Sequence, residues 1–168
     1  EYDETRVKAD FLVRPPRRFD LFESLLHTLE SGFYLLEYHL KRLADSAEYF
    51  GFRFNRQKCI EALEKERRYF ADRSVKVKCI LNRTGDFRIE HSSLDGVKSD
   101  NLKLGLAREP VHSQNPFLYH KTTRRDVYEK ATASAPEFDD VLLWNENGEI
   151  TESCRSNVVI QLGGGLYT

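Results

Sequence analysis

Three side chains stand out by type and setting: Lys121, Glu152 and Arg42. Lys121 follows Phe117-Leu118-Tyr119 in FLYHKTTRR and precedes a predicted helix start. Lysines are ordinarily solvated surface charges. An apolar approach at a domain junction would desolvate the ammonium, lower its pKa and leave an amine able to attack a carbonyl as a Schiff-base nucleophile. Glu152, in NENGEITESCRSNVVI, reads as an exposed hairpin carboxylate. Crowded by Thr151, Ser153 and Asn157 beside an apolar strand, it reads alternatively as a poorly solvated group able to face a protonated ring nitrogen. Arg42, in His39-Leu40-Lys41-Arg42-Leu43, shares a helix flank with His39 next to the Leu40 and Leu43 stripe. Its stem can cover the core with its head in water, or its planar cation can hold a phosphate.

Other residue types offer less. Cys59, Cys79 and Cys154 are odd in number and far apart in sequence, with no CxxC pairing, so neither a disulfide framework nor a zinc knuckle is expected. Cys154 is close to Glu152, but no histidine is spaced to activate it, and a small structural thiol is the expected role. The five histidines lack ligand spacing, and no metal is expected. The basic runs Arg14-Pro15-Pro16-Arg17-Arg18 and Lys121-Thr122-Thr123-Arg124-Arg125 are too short for the stripe that a nucleic-acid site needs. Arg124 or Arg125 meeting a substrate carboxylate competes with an exposed helix-start charge.

The elements that must position these groups are legible in outline. Phe19–Leu26 and Phe33–Leu36 predict a hairpin around Glu30-Ser31-Gly32. Leu36, Leu40, Leu43, Ala44, Ala47 and Phe50 recur at helical spacing and predict a helix over 37–50, ended by Gly51. A second helix is predicted over 56–71 with Asn55 as its cap. Alternation over 75–81 and 87–91 around Asn82-Arg83-Thr84-Gly85 predicts another hairpin, and Leu102, Leu104 and Leu106 a further strand. Thr122 or Thr123 is expected to cap a helix running to about Ser134, where Pro136 bars continuation. Val141–Trp144 then reads as a buried strand, Asn147-Gly148 as a tight turn, and Asn157–Leu162 as the returning strand.

With 26 Lys+Arg against 27 Asp+Glu among 168 residues, no global field draws in nucleic acid or anionic lipid. A hydrophobic share of 40%, with 11 Phe and 8 Tyr, is enough to bury a core. No apolar run approaches the roughly 18 residues that span a bilayer, the charged N-terminus is unlike a signal peptide, and a reducing cytoplasm suits the cysteines. The chain has no methionine and stops in GGGLYT after an apparent turn, so it reads as a piece of a longer polypeptide. The organisation expected is a two-unit α+β chain: a connector over 1–18, a small N-terminal domain over 19–110, and the start of a larger, truncated cofactor-binding domain over 111–168.

FDLFESLL, LLEYHLKRLADSAEYFGF, FLYHKTTRRDVYEKA and DDVLLWNENGEITESCRSNVV, in that order and spacing, resemble the class IV aminotransferases, the pyridoxal-phosphate enzymes of fold type IV. Within them the chain looks most like the 4-amino-4-deoxychorismate lyases fused behind a para-aminobenzoate synthase component. The resemblance implies pyridoxal 5'-phosphate as cofactor, with Lys121 as its Schiff-base lysine, Arg42 on its phosphate, Glu152 at its ring nitrogen and Asn157 shaping the adjoining loop. It also implies Ser24, Arg124 and Arg125 as substrate-binding residues, a cytoplasmic homodimer acting on a small molecule, and an upstream synthase domain in the same polypeptide. Another phosphate contact of the family lies on a helix downstream of GGGLYT. The activity implied is elimination to para-aminobenzoate and pyruvate in folate biosynthesis. The alternatives are an amino-acid transaminase of the same fold, of the branched-chain or D-amino acid type, and a non-catalytic domain of a larger synthase.

Overall fold

Leu21, Glu23, Leu25 and His27 alternate with Phe22, Ser24 and Leu26, a period of two that makes strand β1 (Leu21–Thr28) with the first set turned to the core. The computed structural model describes residues 18–70, 73–94 and 101–168, so all of the proposed connector except Arg18 lies outside it. The short β2 (Gly32–Phe33) pairs with the end of β1 through His27 and Thr28. The strand expected over 33–36 is cut short because Leu35 takes a left-handed conformation, φ 52°, and opens helix α1 (Leu36–Phe50).

Leu40, Leu43, Ser46 and Ala47 form the buried face of α1. The helix ends as its sequence predicts: Gly51 at φ 68° donates its N–H to Glu48 O, and Phe52 N–H returns to Ala47 O at 2.8 Å. Helix α2 (Arg56–Arg67) is capped by Asn55, whose Oδ1 accepts the Lys58 N–H at 2.9 Å. It stops short of the predicted end, and residue 71 lies outside the description. Strands β3 (Val75–Leu81) and β4 (Phe87–Ser93) complete an antiparallel sheet in the order β2-β1-β3-β4. Both helices bury their apolar residues on its Leu21, Leu25, Val77 and Leu81 face. The opposite face, with Phe22, Ser24, Lys76 and Lys78, is left for another purpose.

The second sheet has the order β5-β6-β7. Strand β5 (Leu104–Leu106) runs parallel to β6 (Asp140–Trp144), which pairs antiparallel with β7 (Ile150–Ser153). Helix α3 (Asp126–Ser134) packs Tyr128 and Ala131 against Val141, Leu143 and Cys154. Two expectations are corrected here. The strand returning from Asn147-Gly148 is β7, while β8 (Ile160–Leu162), within the stretch assigned to that strand, pairs with β9 (Gly165–Tyr167). The helix opens at Asp126 after Arg125 with no side-chain cap, because Thr122 and Thr123 are engaged with the start of β1.

Candidate active site

Lys121 is held by its backbone. Its carbonyl accepts the Phe22 N–H at 2.9 Å, Thr122 bridges Leu21, and Thr123 exchanges bonds with Asp20: N–H to O at 2.8 Å, and Oγ1 from N–H at 2.9 Å. The preceding apolar run is its anchor. Asn115 Oδ1 caps a 3-10 turn over Pro116–Leu118, Phe117 packs on Phe19 and Phe50, and His120 stacks on Tyr49 while bonding Ser46 Oγ at 2.9 Å. The segment between β5 and α3 is thus pinned to α1 and β1 of the first unit, and it presents Lys121 in the cleft between the two sheets.

That cleft has a volume of about 610 Å³, within the range of small-molecule sites. Lys121, Arg42, Glu152, Asn157, Ser24 and Arg125 all line it. Arg124 does not. It turns to Asp126 Oδ2 at 3.1 Å and lies over the Phe117 ring, because consecutive residues of an extended stretch point to opposite sides. Asn157 and Ser156 reach the cleft through the turn after β7, where Ser153 Oγ donates to Asp140 Oδ2 at 2.8 Å and accepts the Ser156 N–H at 2.7 Å. Burial pushes the Asp140 carboxyl up, but bonds from Ser153, the Val141 N–H and Ser156 outweigh it and hold the group below the usual carboxylate range.

The titrations in the cleft are displaced in complementary directions. Desolvation, assisted by the Arg42 and Arg125 cations, lowers the Lys121 pKa, with Glu23 and Glu152 opposing. Solvent still reaches this lysine through the cleft mouth. Desolvation raises the Glu152 carboxyl, against a bond from Tyr128 and the charges of Lys121 and Arg125. Tyr128 OH donates to Glu152 Oε1 at 3.0 Å, and burial beside that carboxylate pushes the phenol up. One extra residue in β7 between the Leu143–Glu152 and Trp144–Ile150 pairs forms a bulge beside Glu152.

Arg42 is gripped from behind by Glu23, a residue missed in sequence. Arg42 Nε reaches Glu23 Oε1 at 2.7 Å, Nη2 reaches Oε2 at 2.5 Å, and His39 Nδ1 contacts the same carboxylate at 2.8 Å. Glu23 is 2% exposed. The signal was available: Glu23 shares the core phase of β1 with Leu21 and Leu25, and a carboxylate on the apolar side of a strand needs a cation. Tyr128 was missed as well, hidden in the apolar stripe of α3. Arg125 lies over the Tyr128 ring at 4.1 Å and donates to Cys154 O, which fixes it at the cleft wall.

The family model for amino-transferase class IV matches residues 20–168. The chain belongs to that family. A Schizosaccharomyces pombe protein named "Putative aminodeoxychorismate lyase" is 30% identical over 155 residues, covering 89% of this chain. The chain spans 65% of that relative's length. Among solved structures, the "Putative amino-acid aminotransferase" of Mesorhizobium loti is 33% identical with a TM-score of 0.73, over 81% of this chain and 67% of its own. An aminotransferase from Brucella abortus bound to the cofactor PLP superposes with a TM-score of 0.70 at 18% identity, over 89% of this chain and 60% of its own. That last likeness shows the shared class IV fold. Among the described residues no helix is long and apolar enough to cross a membrane.

Proposed function

We propose that this chain carries much of the active site of a pyridoxal-phosphate enzyme, and that the intact protein is a 4-amino-4-deoxychorismate lyase forming para-aminobenzoate and pyruvate. The observation that carries the reading is the convergence of Lys121, Glu152 and Arg42 on one cleft. The donor set fits the cofactor. A desolvated carboxylate is relieved by a protonated ring nitrogen, an amine of lowered pKa suits attack on an aldehyde, and a guanidinium oriented by a buried carboxylate suits a phosphate. Glu152 would face the ring, Arg42 the phosphate, and Asn157 the loop beside it. Bound there, pyridoxal phosphate supplies an aldehyde that condenses with amines and a ring that takes up an electron pair.

The chain's own groups do the rest. Lys121, its pKa lowered by desolvation, would take the proton from the substrate carbon bearing nitrogen and move it within the cleft. Glu152 would stand at the ring nitrogen as its partner, and Tyr128 holds that carboxyl in place. Arg125, and Ser24 beside its cross-strand partner Lys78, are set to meet substrate oxygens. The name of the fission-yeast relative favours the lyase, and the name of the Mesorhizobium structure supports a transaminase as the second reading. We infer further a homodimer, and a synthase domain upstream in the same polypeptide.

The test uses the intact protein. Borohydride reduction with pyridoxal phosphate present, followed by peptide mapping, should mark Lys121, and a mark on another lysine sinks the site. Given 4-amino-4-deoxychorismate, the enzyme should release para-aminobenzoate and pyruvate in equal amounts with no keto acid added. Turnover that depends strictly on an acceptor such as 2-oxoglutarate replaces the lyase with the transaminase.

A further inference from the structure

Cys59 and Cys79 are 20 positions apart in sequence, yet their Sγ atoms meet at 3.6 Å. Each residue is 1% exposed. Cys59 projects from α2, and Cys79 is the fifth of the seven residues of β3, opposite Glu23 on one side and Ile89 on the other. Closing from this contact to a bond of roughly 2.05 Å takes a shift of less than about 1 Å at each sulfur. The helix carrying Cys59 is mostly polar and buries only Cys59 and Leu63, so few contacts hold it on the sheet and local opening is cheap.

We propose that Cys59 and Cys79 are a reversible redox pair, closed to a disulfide by hydrogen peroxide, that fastens α2 to β3. Either sulfur can donate in this contact; with Cys79 as the donor, the bond favours thiolate at Cys59, while the same bond and burial push Cys79 up. Cys59 is therefore the attacking sulfur. It breaks the O–O bond of the peroxide, becomes a sulfenic acid and releases one water. The Cys79 sulfur then attacks the Cys59 sulfur, a second water leaves, and two thiols have lost two electrons and two protons to the peroxide. Closing a loop of this length restricts the unfolded chain, so the oxidised form unfolds at a higher temperature.

The intact protein is exposed to hydrogen peroxide under native conditions, alkylated in denaturant and digested without reductant. The expected result is a linked peptide pair containing Cys59 and Cys79 that separates on adding dithiothreitol, with Cys154 recovered alkylated. The thermal midpoint should rise on oxidation and return on reduction, and Cys79→Ser should abolish both changes. Recovery of Cys59 and Cys79 as free thiols, as sulfinic acids, or linked to Cys154 overturns the proposal. If Cys79→Ser does not fold, the peptide map of the unaltered protein decides alone. Neither readout involves pyridoxal phosphate, so the outcome is independent of the reading of the cleft.

Discussion

A buried carboxylate behind the cleft, Glu23, sets the direction of the cation in front of it. Hydrogen bonds to charged groups are worth about 1.5 to 3 kcal/mol each, so Arg42→Ala should weaken pyridoxal-phosphate affinity roughly ten- to hundredfold if Arg42 holds the phosphate. Glu23→Gln keeps an acceptor but removes the charge, and it should lower both affinity and thermal stability. Cofactor titration separates the roles: unchanged affinity in Arg42→Ala together with lost stability would leave Arg42 only a structural part. His27 predicts a pH dependence. It is 3% exposed, both ring nitrogens lack a hydrogen-bond partner, and its ring lies edge-on to Phe33 and Phe70 at 4.9 Å each. Burial lowers its pKa, helped by Arg67 and opposed by Glu64, with His91 on the far side of Phe70. The native state then binds the His27 proton less readily than the unfolded chain, whose imidazole titrates near 6.5. Stability should be full above that value and fall as the pH drops below it. Denaturant midpoints measured from about pH 7.5 to about pH 5.5 should decline, and His27→Phe should flatten the decline. His120, also lowered by burial, leaves a residual slope, and an identical slope in His27→Phe refutes the assignment.

Elements governed by local chemistry were legible in the sequence, and elements governed by distant partners were not. Helix α1 announced itself because its apolar spacing and Gly51 are read within one stretch of chain, and Asn55 likewise marks the start of α2. The β3–β4 hairpin followed from alternation around Asn82–Gly85, where Asn82 Oδ1 accepts the Thr84 and Asp86 N–H groups. The misread pieces share one cause. Thr122 and Thr123 look like helix caps, but their partners are Leu21 and Asp20, about a hundred positions away. Strand β7 is short and polar, with Thr151 exposed and Glu152 at the cleft wall, so the more apolar stretch after it drew the assignment of the returning strand. The cleft was legible as residue types, since Lys121, Glu152 and Arg42 do converge, whereas Glu23 and Tyr128 needed the packing of β1 and α3 to be seen. Cys59 and Cys79 show the same limit from the other side, distant in sequence and touching in the core.

The two core clusters, one under β1, β3 and the first two helices, the other around β6 and α3, do not include the candidate catalytic lysine, which lies on the loop from β5 to α3 that crosses to the start of β1. The position of Lys121 therefore depends on the seam with β1 more than on either core. Three backbone-level contacts hold that seam: Phe22 N–H to Lys121 O, Thr123 N–H to Asp20 O, and Asp20 N–H to Thr123 Oγ1. Thr123→Val keeps the side-chain volume and the two backbone bonds but removes the hydroxyl acceptor, a loss of about 0.5 to 1.5 kcal/mol at a site that water can reach. Both cores lie away from the change, so the thermal midpoint should fall only slightly. The seam should open more often, and exchange of the Phe22 amide should accelerate. If cofactor attachment depends on where the seam presents Lys121, pyridoxal-phosphate affinity should drop with that acceleration, while Arg124→Ala, at a residue outside the cleft, should leave it unchanged. Faster exchange with undiminished affinity would place the control of Lys121 in its own surroundings instead, in the desolvating wall of Phe22, Arg42 and Arg125.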